Sequence, residues 1–108
     1  MYIRDIFSHL LASCGYDIQV AKSNNEALEF LKLFSFDLIL VDINMTGMTL
    51  TEFLSVVKQN YEYKHIPIMA VTGVPNLIEQ SDLNQIQAVL EKPFEPDDLI
   101  NQVKVLLN

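Results

Sequence analysis

Three residues in this chain carry side chains suited to group-transfer chemistry: Asp42, Thr72 and Lys92. Each stands at the end of a short apolar run, so each is a candidate for the carboxyl end of a buried strand. A carboxylate is a nucleophile able to form an acyl phosphate. An ammonium stabilises charge on phosphoryl oxygens, and a hydroxyl donates a hydrogen bond to one of them. Taken singly, each residue has an ordinary reading. An aspartate ending a strand is commonly a turn former or helix cap, a threonine a local backbone hydrogen-bonder, and a lysine a solvated charge. Pro93, directly after Lys92, fixes the chain there. The chemistry depends on the three meeting at one rim.

The elements that must position them follow from hydrophobic spacing. Ile3, Ile6, Phe7, Leu10 and Leu11 recur at helical intervals over Tyr2–Cys14, and Gly15 ends that helix. Asp17–Ala21 alternates like a short strand. Ser23, Asn24 and Asn25 offer caps, and Glu26 places a carboxylate in the first turn of a second helix. That helix is expected to bury Ala27, Leu28, Leu31 and Phe34. Asp37–Asp42 holds an unbroken apolar run between two acids, the pattern of a strand buried on both faces of a parallel sheet. After a loop around Gly47, Leu50, Phe53, Leu54 and Val57 mark a third helix. Pro67–Val71 reads as another buried strand. Pro75 opens a weaker helix to about Leu83, and Ile86–Leu90 reads as a last strand. Pro96, with Asp97 and Asp98 facing the helix dipole, begins a closing helix that buries Leu99, Ile100, Val103, Leu106 and Leu107. Alternating helices and strands specify an α/β fold with a doubly wound parallel sheet, in which ligands sit beyond the carboxyl ends of the strands. That rim is where Asp42, Thr72 and Lys92 belong.

Composition narrows the class. The 108 residues suit one domain spanning 1–108, half of them hydrophobic and 19% charged. A core of this size needs no metal or disulfide staple. The lone Cys14 has no partner in the chain and is expected to act as a small buried hydrophobe, in keeping with a reducing cytoplasm. No apolar run approaches the length of a membrane span, and without a basic segment leading into an apolar stretch no signal peptide is expected. A net charge of -7 repels a phosphate backbone, so nucleic acid is not an expected partner.

The segment Phe36–Met48 resembles the receiver-domain stretch that carries the phospho-accepting aspartate of bacterial response regulators. Ala70–Gly73 is similar to the stretch carrying the family's hydroxyl residue, and Glu91–Phe94 to its lysine–proline signature. The likeness runs from the first helix to the last. It implies a flavodoxin-like receiver fold in two-component phosphorelay signalling. Asp42 would take phosphate from a histidine kinase or phosphotransfer protein, Thr72 would move toward the phosphoryl group, and Lys92 would bind it. The backbone carbonyl of Asn44, together with Asp42, would help hold Mg2+. A separate output protein is the implied reader, and no enzymatic turnover is expected. Phosphatases with an aspartate nucleophile typically carry a second Asp two positions on, where this chain has Asn44.

The chain also departs from that pattern. Receivers begin with a strand ending in an acidic pair, and this chain begins where the first helix begins. The first strand and its pair are therefore expected to be missing, with Met1 either a true start or internal to a longer protein. Asp5, placed outward on its helix, is a poor substitute, so the Mg2+ site is expected to be weak or incomplete. The neighbouring strands would pair directly, expose an edge, or gain a strand through a homodimer or swap. Val89 stands at the aromatic switch position and reads as a core residue. Thr46 and Thr49-Leu50 replace a frequent proline and a usual Asp-Gly. Two readings follow: a phospho-accepting receiver, and a pseudo-receiver interaction module without efficient phosphorylation. The segment from Pro75 to Leu90 and the closing helix are the expected partner face. His9 and His65 read as surface residues. Met45 and Met48 read as packing residues beside the Asp42 loop, and Tyr61 and Tyr63 as seals at the core edge.

Overall fold

Three apolar runs become parallel strands because each can bury side chains on both faces of a sheet. In the computed structural model, which describes residues 5–42, 49–75 and 78–107, β1 is Ile39–Asp42, β2 is Ile68–Thr72 and β3 is Ala88–Glu91. They form a sheet in the order β1-β2-β3. Asp42 lies opposite Val71, and Thr72 opposite Glu91. Every residue of β1 and β2 is buried.

Among the described residues, five α-helices surround the sheet: α1 (Asp5–Ser13), α2 (Asn24–Leu33), α3 (Leu50–Gln59), α4 (Gln80–Leu83) and α5 (Pro96–Leu107). Alternation along the strands divides the core in two. Ile39, Val41 and Ile68 pack with Ala27 and Leu31 of α2 and Phe53, Leu54 and Val57 of α3. Leu38, Leu40, Met69, Val71 and Leu90 pack with Leu11 of α1 and Leu99 and Val103 of α5. Helices cover both faces, the arrangement a fully apolar parallel sheet requires.

Local chemistry sets the helix ends. Of the three caps offered before α2, Ser23 is used, its side chain accepting from the Glu26 N–H at 3.1 Å. Thr49 and Glu52 form a capping box at the start of α3, each side chain accepting from the other's backbone N–H. Gly15, after α1, has φ 94°, a conformation that costs a residue with a Cβ.

Several expectations require correction. Asp17–Ala21 forms no strand. Ile18 and Val20 pack into the α1/α5 layer and Ala21 into the α2/α3 layer, so the alternation survives in packing. A ladder, however, needs a neighbour about 4.8 Å away in register, and none forms there among the described residues. A cavity of about 330 Å³ opens instead between Gly15–Asp17 and Ser35–Leu38. Pro75 opens a 3₁₀ turn, its carbonyl accepting from the Ile78 N–H at 3.1 Å, but the α-helical part of the expected helix is Gln80–Leu83, set apart by the extended Glu79 (φ −66°, ψ 148°). Cys14 is exposed in the turn after α1 rather than buried. Phe34 is 49% exposed, since it sits beyond the last turn of α2, where it meets Phe36 edge-on and Phe30 at a tilt instead of entering the core. Tyr63 packs against the core, but Tyr61 is 83% exposed beneath the Lys64 ammonium. His9 and His65 are exposed as expected, and Val89 is half-buried in β3. Met45, Thr46 and Met48 lie outside the described residues, as does the Asp5 side chain.

Candidate functional site

The parallel order β1-β2-β3 brings three strand ends to one rim. Asp42 is the last residue of β1, Thr72 the last of β2, and Lys92 directly follows β3. The ladder continues one step past β3, where the Lys92 N–H donates to the Thr72 carbonyl at 2.8 Å. That bond holds Lys92 beside β2. Its side chain then reaches across the end of β2 to Asp42. The Lys92–Pro93 peptide bond is cis.

Lys92 Nζ donates to Asp42 Oδ2 at 2.9 Å, with the two side chains 29% and 7% exposed. A carboxylate this deeply buried needs a partner, because burying an unpaired charge is expensive. The ammonium supplies one while keeping contact with water. Two of the three candidate residues are thus in direct contact. They form a nucleophile beside a cation able to hold phosphoryl oxygens.

Thr72 is placed at the rim but is engaged elsewhere. Fully buried, its Oγ1 accepts from the Val74 N–H at 3.0 Å. A hydroxyl has one proton to donate as well as lone pairs to accept, and that proton is committed to no acceptor among the described residues. Asn44, the expected source of a carbonyl ligand, lies outside the described residues. Among the described residues, no three acidic, histidine or cysteine side chains gather as a metal-holding group. Mg2+ demands near-octahedral oxygen coordination. Asp42, already bonded to Lys92, does not by itself fit that ion.

One contact near this rim had no signal in the sequence. Thr51 Oγ1, in the first turn of α3, donates to Asp82 Oδ2 of α4 at 2.6 Å. Thr51 lies on the segment that continues from Asp42, and Asp82 on the segment that continues from Thr72. Threonine in a first helical turn reads as an ordinary capping candidate, and nothing local ties it to an acid 31 positions away.

Comparison with known proteins agrees with this geometry. The family described as response regulator receiver domain matches residues 1–104. The CAI-1 autoinducer sensor kinase/phosphatase CqsS of Vibrio cholerae is 31% identical over 107 residues. That match takes in 94% of this chain, but the chain spans 15% of that protein's length. The polar-differentiation response regulator DivK of Brucella ovis is 29% identical over 104 residues, covering 94% of this chain and 85% of that protein. The chemotaxis response regulator CheY4 of Vibrio cholerae has a structure that superposes with a TM-score of 0.86 at 31% identity, covering 96% of this chain and 88% of that one. With its parallel sheet, its helices on both faces and its matched length, the chain belongs to the response regulator receiver domain family of two-component signalling.

Proposed function

We propose that residues 1–108 act as one receiver unit that accepts a phosphoryl group on Asp42 from a histidine kinase or phosphotransfer protein in the cytoplasm. A carboxylate oxygen of Asp42 attacks phosphorus, the bond to the donor's histidine nitrogen breaks, and an aspartyl phosphate forms. Lys92 moves from the carboxylate to the new phosphoryl oxygens, and Thr72 turns its free proton toward one of them. The chain then signals to a separate output protein and is not a turnover enzyme. The observation carrying this reading is the 2.9 Å contact between Lys92 Nζ and Asp42 Oδ2 at the strand ends.

The test is intact mass after incubation with a small acyl-phosphate donor, with and without Mg2+, for the wild-type chain and Asp42→Asn. One phosphoryl adduct in the wild type, lost in the variant, is the expected result. Absence of any adduct under both conditions overturns the reading.

A second reading, a pseudo-receiver that binds partners without efficient phosphorylation, draws on the donor set. Among the described residues no three acidic, histidine or cysteine side chains gather as a metal-holding group, so a complete Mg2+ site needs oxygens from elsewhere. The outer edge of β1, which carries no ladder among the described residues, is where an added strand from a second copy would pair. Tight Mg2+ binding together with concentration-dependent dimerisation favours such completion. Weak Mg2+ binding by a monomer favours the pseudo-receiver.

A further inference from the structure

One side of α2 carries side chains that the sheet does not use. Asn24, Ala27 and Leu31 are buried against the core. Leu28, Glu29, Lys32 and Leu33, each three or four places from another, form a stripe on a different side of the helix. Leu33 is 71% exposed, and the Lys32 and Glu29 side chains are 65% and 68% exposed. Beside the stripe lies a groove of about 490 Å³, lined by Leu28, by Val56 of α3 and by Tyr63. It shares Lys32 and Tyr63 with a second groove that reaches Leu33 and Phe34. Val56 and Phe34 are exposed as well. An apolar tract of this kind, bordered by charge, marks an association surface.

We propose that this stripe is a self-association surface, through which two copies of the chain pair by antiparallel α2 helices. The order of residues on it supports a second copy as the occupant. Leu28-Glu29-Phe30-Leu31-Lys32-Leu33 runs apolar and acidic before its centre, then basic and apolar after it. With a two-fold axis at the level between Phe30 and Leu31, Leu28 of one copy faces Leu33 of the other, and Glu29 faces Lys32. Symmetry makes each pairing twice. The exposed Leu33 then enters the groove floored by Leu28, Val56 and Tyr63 of the second copy. A helix flanked by charges of one sign meets a like charge somewhere on this stripe, whereas a second copy meets none. Within one chain Lys32 Nζ lies 3.4 Å from Glu29 Oε1, and an ion pair this exposed contributes little by itself. In the dimer it joins an alternating set of four charges. The net charge of -7 repels a second copy, so pairing requires such local complementarity. Because α5 packs with α1 in the other core layer, it stays open to a different protein. The pairing does not rest on the phospho-acceptor reading, and it uses neither the edge of β1 nor an exchanged strand.

The test is sedimentation equilibrium of the full chain over a wide concentration range. It compares the wild type with Leu33→Ser, Glu29→Lys, Lys32→Glu and the chain carrying both charge changes. All three positions are exposed, so none of these substitutions disturbs the core. The wild type shows a monomer–dimer equilibrium. Leu33→Ser and each single charge variant weaken it about tenfold or more, since every change acts twice across the axis. The doubly changed chain regains the wild-type affinity. An equimolar mixture of Glu29→Lys and Lys32→Glu forms a heterodimer, although neither variant pairs well alone. A wild type that stays monomeric at every concentration overturns the proposal. So does a dimer that Leu33→Ser retains, because the contact then lies elsewhere, as at the edge of β1. If net charge alone governs association, Glu29→Lys, which is closer to neutrality, pairs more tightly than the wild type. That result, or charge variants indistinguishable from the wild type, overturns the antiparallel pairing.

Discussion

The ammonium of Lys92 lies 2.9 Å from a carboxylate oxygen of Asp42, although 50 positions separate the two in the chain. The carboxylate is buried and the lysine keeps partial access to water. This asymmetry makes the pair more than a surface salt bridge, because removing the lysine takes a charged donor from a buried carboxylate, whereas neutralising the aspartate leaves a lysine that can turn toward solvent.

Lys92→Ala is therefore expected to lower stability by about 1–3 kcal/mol, and Asp42→Asn by less. The double variant should lose less than the sum of the two, since its members share one interaction. Urea unfolding of the four proteins checks both points. Additive losses would show that the contact is not coupled in solution.

The two glycines at Gly15 and Gly73 should respond differently to alanine. Neither would meet another atom within 4 Å if it gained a Cβ, but Gly15 alone of the two has a positive φ, 94°. Gly15→Ala is expected to cost about 1 kcal/mol through backbone strain. Gly73→Ala should be neutral or slightly stabilising, because it restricts the unfolded chain without straining the native one. Thermal melts of the two variants give the comparison directly.

At the start of α3, Thr49→Ala removes the acceptor for the Glu52 N–H and breaks the capping box. A loss of about 1 kcal/mol is expected. Thr49→Ser keeps the hydroxyl and should retain most of that stability. If serine fails to rescue, the threonine methyl rather than the cap supports the helix.

Burial lowers the pKa of Lys58 from its ordinary 10.5. The unfolded chain then binds this proton more tightly than the folded one, so stability carries a penalty below the folded pKa. That penalty is relieved as pH rises through the folded pKa toward 10.5. Lys58→Met is expected to stabilise the protein by less than about 1 kcal/mol at neutral pH, the effect being small because the group is largely solvated. The gain should shrink as pH approaches 10.5. Chemical denaturation at a series of alkaline pH values measures it, and a gain that grows with pH would contradict the assignment.

The sequence by itself determined the strands ending at Asp42, Thr72 and near Lys92, a polar cap among Ser23–Asn25, the proline that opens the closing helix at Pro96, and the parallel α/β architecture. These features rest on signals a few residues long: an apolar run buried on both faces, a hydroxyl before a helical period, a proline at a first turn. Only the tertiary structure decided that Asp17–Ala21 packs in two layers without a ladder, since periodicity reports burial and pairing requires a neighbour in register. It also decided that Phe34 and Cys14 face water, because each falls one step past a helix end, and that the helix after Pro75 shrinks to Gln80–Leu83. Two side-chain contacts at the strand-end rim, Lys92 with Asp42 and Thr51 with Asp82, join residues 50 and 31 positions apart. No local pattern encodes such a contact, because its partners meet only after the sheet order and the helix packing have set where each strand and helix ends.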